Sequence, residues 1–301
     1  MVAGDLAFVT NQNSSDVSVI DLTQRREISR VPVPGKPAGI AAHAKSGTYF
    51  TVSPDSKTVR KHDQASGSVL GSLVLDGGPI GIALTPNAKR AFVSDWYNAR
   101  IWVIDTQDMD LATTLKTGSA PAGLAVSPDG TLLASADRDA NQVSIFDADT
   151  LQLRHAVTVG ERPFGLSFSP DGRVFVGNVG SNSVSVVDPQ LGIVIGTVPV
   201  GERPYGVAFA DGKGFVTNQY SDTLSVFDLS TLAPITTLDV GEYPEGIDVT
   251  TDGQTIVVAN WFSNSVSLID ATTLEVIGEI ETGDGPRAFG RFISADVRRE
   301  N

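Results

Sequence analysis

The chain has 301 residues, room for one large domain or two ordinary ones, and its 41% hydrophobic and 19% charged residues exclude a disordered or membrane-spanning composition. No apolar run approaches the ~20 residues needed to cross a bilayer, so membrane insertion is not expected. With 22 Lys and Arg against 35 Asp and Glu, the net charge of −13 opposes binding to nucleic acid, and the absence of cysteine excludes disulfides, thiolate metal ligands and cysteine nucleophiles.

The chain opens on Met1-Val2-Ala3-Gly4-Asp5, with no basic region ahead of an apolar stretch, so no signal peptide is visible. Residues 6–11 read as a strand, two more follow up to about Val33, and from there one unit repeats. Its first anchor is an aspartate closing a β-rich run: Asp21, Asp63, Asp105, Asp147, Asp188, Asp228 and Asp270, at spacings of 42, 42, 42, 41, 40 and 42. Its second is Pro-x-Gly, at Pro37, Pro79, Pro121, Pro163, Pro204 and Pro244, with a degenerate copy at Pro286/Ala288 in the same series.

The copy at 163–201 is the clearest. Residues 165–168 form strand one, Ser169-Pro170-Asp171-Gly172 a turn, residues 173–178 strand two, and Gly180-Ser181-Asn182 a second turn. Residues 183–188 alternate small polar and apolar side chains as strand three, and residues 193–198 are strand four. Four strands in 40–42 residues, seven times over, predict an all-β seven-bladed β-propeller forming a single domain over 1–301. The chain begins at a strand two and ends on a spare strand one at 287–292. The last blade therefore takes one strand from the C-terminus and three from the N-terminus, which removes exposed edges.

Phe8-Val9-Thr10-Asn11 and Phe215-Val216-Thr217-Asn218 resemble the Tyr-Val-Thr-Asn signature of the YVTN family of β-propellers. Val257-Val258-Ala259-Asn260 and Phe92-Val93-Ser94-Asp95 are looser versions; Phe replaces the leading Tyr at Phe8, Phe92 and Phe215, and the resemblance covers essentially the whole chain. It implies kinship with surface-layer repeats, bacterial periplasmic propellers and, more distantly, lactonase-like propellers, and hence a periplasmic or extracellular location. It specifies fold and leaves the chemistry open.

Propeller architecture further implies that ligands bind where the strand two–three loops and the blade-to-blade loops meet. Two of the three tryptophans and four of the five tyrosines fall there: Trp96, Trp261, Tyr97, Tyr205, Tyr220 and Tyr243. With Arg138, Arg162, Arg203, Arg287, Phe164, Phe262 and Glu245 they make the composition of a binding surface for a protein, peptide or small molecule. The competing reading is that each aromatic merely covers a gap between blades. The Asn closing strand two (Asn11, Asn178, Asn218, Asn260) is expected to form a turn, with a ring of carboxamides at the channel mouth as the alternative.

The three histidines, His43, His62 and His155, fall in different strands and should not converge on a metal or haem. No nucleophile elbow, P-loop or His-Glu-x-x-His is present. No cofactor is expected. If calcium or magnesium binds, the candidate ligands are Asp95, Asp137, Glu245 and Asp284. The sequence thus points to a monomeric, non-enzymatic binding propeller. The alternative is a lactonase-like or lyase-like enzyme with loop carboxylates around a divalent cation.

Overall fold

The structure is a computed structural model and describes residues 4–296. It is a ring of seven sheets, each with four antiparallel strands, and one of them gains a fifth, parallel strand. Blades 1 to 6 occupy residues 39–74, 79–116, 121–158, 163–199, 204–239 and 244–281, and blade 7 combines 293–295 with 5–32. In blade 4 the strands run Pro163–Phe168, Val174–Asn178, Ser183–Asp188 and Ile193–Pro199, close to the sequence reading.

Packing explains which residues repeat. Strand two of each blade carries, three positions before its end, Phe8, Phe50, Phe92, Ala134, Phe175, Phe215 or Val257, and every one is buried between neighbouring sheets. A fully buried phenylalanine is worth roughly 1.5–3 kcal/mol over an exposed one, so these plugs carry much of the inter-blade adhesion. The alternating serines of strand three are buried as well, since a blade within the ring has no solvent face. Apolar residues reach solvent mainly on outermost strands, such as Ile193 and Ile195.

The glycine of Pro-x-Gly marks the tightest contact of the ring. A Cβ on Gly165 would lie 2.0 Å from the Tyr205 carbonyl oxygen, and Gly39, Gly81, Gly123 and Gly246 face the backbone of the following blade in the same way. Only a residue without a side chain lets the innermost strands approach so closely.

Closure follows expectation in outline and departs from it in register. Residues 293–295 pair with 5–7, and Pro286 bridges Asn11, as one strand one should. Between them, Phe289–Arg291 leaves the sheet and pairs in parallel with Gly39–Ala41 of blade 1. The segment 287–292 is therefore not one continuous strand. Pro286 to Ile293 spans seven residues where the partner strand spans four, against three and two in blade 3. The excess bulges toward the axis and brings residues 289–291 against the inner strands of blades 1, 2, 3 and 6. Gly290, not Ala288, makes the close approach to the next blade, with its Cβ position 2.2 Å from the Ile40 oxygen. Buried Asp248 of blade 6 holds this crossing, accepting from the Phe292 and Ile293 amides at 2.8 and 2.9 Å.

Candidate functional site

On the face predicted to bind, a funnel of about 280 Å³ opens over the axis. Its whole lining comes from three columns of the repeat. The middle residue of Pro-x-Gly supplies Phe164, Tyr205, Glu245 and Arg287. The residue after strand two supplies Gln12, Trp96, Arg138, Val179, Gln219 and Trp261. The residue before the proline supplies Arg203 and Tyr243.

That last column has a backbone reason to project. Arg162, Arg203 and Tyr243 adopt left-handed φ values of 52°, 54° and 58°, a region non-glycine residues avoid. Each amide is held by the preceding blade: Arg162 donates to Asn141 Oδ1 (2.8 Å), Arg203 to Asn182 Oδ1 (3.1 Å) and Tyr243 to Asp222 Oδ1 (2.8 Å). The turn thus presents a large side chain from a conformation that glycine would take without strain.

The floor is aromatic. Phe164 packs against Tyr205 (4.5 Å between centroids), Phe289 (5.1 Å) and Trp96 (5.9 Å). Phe289 is carried in by the closing bulge, so the strand that seals the ring also plugs the axis beneath the funnel.

The wall is polar. Arg287 donates to the Tyr205 hydroxyl from Nε (3.0 Å) and Nη2 (2.7 Å), and to Gln12 Oε1 from Nη1 (3.2 Å). Glu245 lies 3.1 Å from Arg287 Nε and accepts from Gln219 Nε2 at 2.7 Å. Glu245 Oε2 is the oxygen facing Arg287, and the Tyr205 hydroxyl also hydrogen-bonds this carboxyl. Burial pushes the Glu245 carboxyl up from its ordinary value, against the pull of Arg287 and Gln219. Burial likewise raises the Tyr205 hydroxyl, so it stays protonated. Arg203 stacks over Tyr220 (4.4 Å) and donates from Nη1 to its hydroxyl (2.9 Å). Arg203 Nε, Trp261 Nε1 and Gln219 Oε1 are buried without a partner.

Nine of the thirteen residues singled out in the sequence line the funnel: Trp96, Arg138, Phe164, Arg203, Tyr205, Tyr243, Glu245, Trp261 and Arg287. Tyr97, Arg162, Tyr220 and Phe262 stand exposed on the rim. Tyr220 and Phe262 are still joined to the funnel through Tyr243, at 5.7 and 4.9 Å, and Phe262 packs on Trp261 at 4.6 Å. Gln12 and Gln219 belong to the same strand two–three loops in the sequence but, like Val179, lack the aromatic or charged character that marks the other candidates.

The four candidate metal ligands lie apart. Asp95 accepts from the Gly78 and Tyr97 amides, Asn98 and Arg100. Burial alone would raise its carboxyl, but these donors outweigh it and hold the group below the usual carboxylate range. Asp137 accepts from Thr117, the Gly118 amide, Ser135, Gln142 and Ser144. Both fill the slot that Asn178, Asn218 and Asn260 fill elsewhere, where the amide donates to a strand-three serine (2.9 Å in each). The asparagines bond within their own blades, as turn formers do. Asp284 is exposed, and Glu245 alone of the four reaches the funnel. Among the described residues no three His, Asp or Glu side chains converge. The histidines are scattered too: His62 stacks on Tyr49 in the core, while His43 and His155 bond to the Pro86 and Gln190 carbonyls.

The fold recurs widely. A chain of Kuenenia stuttgartiensis hydrazine synthase is similar over 85% of this chain and 89% of its own, with a TM-score of 0.76 and 17% identity. A functionally unknown protein from Desulfotomaculum acetoxidans is similar over 93% of this chain and 98% of its own, with a TM-score of 0.81 and 16% identity. At such identities the likeness is one of fold. No curated protein matches the sequence. The model of one family, the YNCE-like β-propellers, matches residues 100–295, nearly two thirds of the chain. The chain belongs to the YNCE-like β-propeller family.

Proposed function

We propose that this protein is a non-catalytic binding propeller whose funnel face receives a small molecule or a peptide segment outside the cytoplasm. The observation carrying this reading is the set of buried, unpartnered polar atoms around one concave opening: Arg203 Nε, Trp261 Nε1 and Gln219 Oε1. A buried donor or acceptor left unpaired costs about 1–3 kcal/mol. Three at one mouth are three bonds that an entering group can complete. An aromatic floor beneath polar groups is the usual make-up of a ligand pocket. The extracytoplasmic location and the YVTN-type label rest on the sequence resemblance.

A fragment screen read by tryptophan fluorescence tests this, since Trp96 and Trp261 line the funnel and Trp102 is buried elsewhere. Saturable hits lost in Trp261→Ala and Trp96→Ala, with both variants still melting cooperatively, are expected. A wild type that saturates with nothing, or variants that fail to fold, would return these aromatics to blade packing. Stoichiometric calcium or magnesium retained through purification would favour an enzyme.

A further inference from the structure

The unpaired groups specify more than a pocket. The guanidinium of Arg287 is matched by Glu245, and that of Arg138 by Asp139, 2.5 Å away. Arg203 is different: no carboxylate pairs with it among the described residues, its Nη1 is spent on the neutral Tyr220 hydroxyl, and its Nε–H has no acceptor. The funnel therefore holds a guanidinium in no direct ion pair, with Glu245 feeling its charge only at longer range. A second unpaired donor, Trp261 Nε1, lines the same opening. Two unmatched donors, one on a planar cation, suit a carboxylate. Opposite in kind is one unmatched acceptor, Gln219 Oε1, which needs an N–H or O–H. The floor of Phe164, Tyr205 and Trp96 is built for an apolar or ring-shaped group.

Carboxylate, adjacent N–H and apolar side chain occur together in one chemical unit, the acylated α-amino acid that ends every peptide. We propose that the funnel binds an acylamino-carboxylate, and that its source is the carboxy-terminal residue of a peptide. Arg203 and Trp261 take the carboxylate, Gln219 Oε1 takes the amide N–H, and the side chain rests on the aromatic floor. The chain leading out of the funnel then crosses the rim, where Tyr243, Phe262 and Tyr220 form a row of rings beside the opening. A volume of about 280 Å³ lies at the small end of the roughly 300–1,000 Å³ typical of ligand sites and suits one residue, not a folded loop. This assignment rests on the funnel being a binding site at all.

The test titrates the whole protein with three probes by calorimetry and tryptophan fluorescence: N-acetyl-Ala-Ala-Phe, its C-terminal amide, and phenylacetate. The free acid should saturate, the amide should bind at least about tenfold more weakly, and Arg203→Gln should erase that preference while leaving the melting transition in place. Arg203→Lys, which keeps the charge without the planar fork, should recover only part of it. Phenylacetate shares the carboxylate and ring but lacks the N–H, so weaker binding than the peptide acid is expected. Equal or tighter binding of phenylacetate would make the source a free aromatic acid and overturn the peptide assignment. Equal affinity for acid and amide would overturn the anion seat while leaving the binding funnel intact. If no probe saturates up to millimolar concentration the proposal fails, and the fragment screen then decides whether the funnel binds anything.

Discussion

The two faces of the propeller satisfy their polar groups in different ways. On the face opposite the funnel the solutions recur. The aspartate ending strand three accepts from amides two and three residues on, as Asp188 does from Gln190 and Leu191 and Asp270 from Thr272 and Thr273. A basic residue at the start of strand two then reaches the next blade's turn: Arg90 to the Ala148 carbonyl, Arg173 to Leu229 and Lys213 to Ala271. On the funnel face the strand-two asparagines and the left-handed amides recur, but the side chains around the opening do not repeat their bonding. Arg287 joins Tyr205 and Gln12 across 82 and 275 residues of sequence, and Arg203 Nε, Trp261 Nε1 and Gln219 Oε1 stay unpaired. A repeated structural need is met by a repeated residue, whereas a site needed once is written into columns the repeat leaves free.

The largest expected effect breaks the funnel's own network. Arg287→Leu strands the buried Glu245 carboxylate and should cost about 3–5 kcal/mol, the usual penalty for removing one partner of a buried pair. Adding Glu245→Gln should recover much of that loss in urea melts, because the orphaned charge is then gone. A single variant costing under about 1 kcal/mol would mean that the pair is solvated and the funnel floor wet.

The division also explains what could be read from the sequence. Blade number, strand order and composite closure were legible because Asp, Pro-x-Gly and the strand-two phenylalanine each serve one local or nearest-neighbour purpose. The bulge at 289–291 was not, since Arg287-Ala288-Phe289 has the apolar pattern of a strand and only the ring geometry diverts it to blade 1. Funnel residues with a marked chemical character were picked out, while Gln12 and Gln219 needed knowledge of which repeat column faces inward. The pairing of Arg203 with Tyr220 and the isolation of its Nε are tertiary facts that no spacing encodes.

A second effect comes from the non-funnel side, where local bonding fails to protect one group. His62 is stacked against Tyr49, hydrogen-bonded to Thr51 Oγ1 (3.0 Å), and pushed down to about 4 by burial. The unfolded imidazole takes its proton near pH 6.5. Between these values the unfolded state binds more protons, so stability rises with pH across the window and is lost as pH falls from about 6.5 to about 4. The loss at the acid end should be about 3 kcal/mol. Folding free energies of His62→Gln and wild type, compared at pH 7 and pH 4, should differ in slope by that amount, and parallel slopes would mean that the ring is hydrated.

Two glycines of blade 4 separate the faces again. Gly165→Ala drives a methyl into the Tyr205 carbonyl and should cost at least about 2 kcal/mol, since backbone must move. Gly172→Ala, at φ +88° with nothing within 4 Å, meets only left-handed strain and should cost about 1 kcal/mol. Equal costs would show that the inner ring is looser than its close approaches imply.

The smallest effect should come from removing one copy of the recurrent device. Asp228 accepts from the Ser230 and Thr231 amides and hydroxyls, which hold its carboxyl down at about 2. Its turn is solvent-exposed, so water replaces the lost acceptor and leaves nothing buried and unpaired. Asp228→Ala should therefore lower Tm by no more than about 2 °C, against a drop several times larger for Arg287→Leu. A loss comparable to that of Arg287→Leu would mean that this turn also anchors the Arg173 latch on Leu229, and that adhesion between blades 4 and 5 depends on the non-funnel face as much as on the axis.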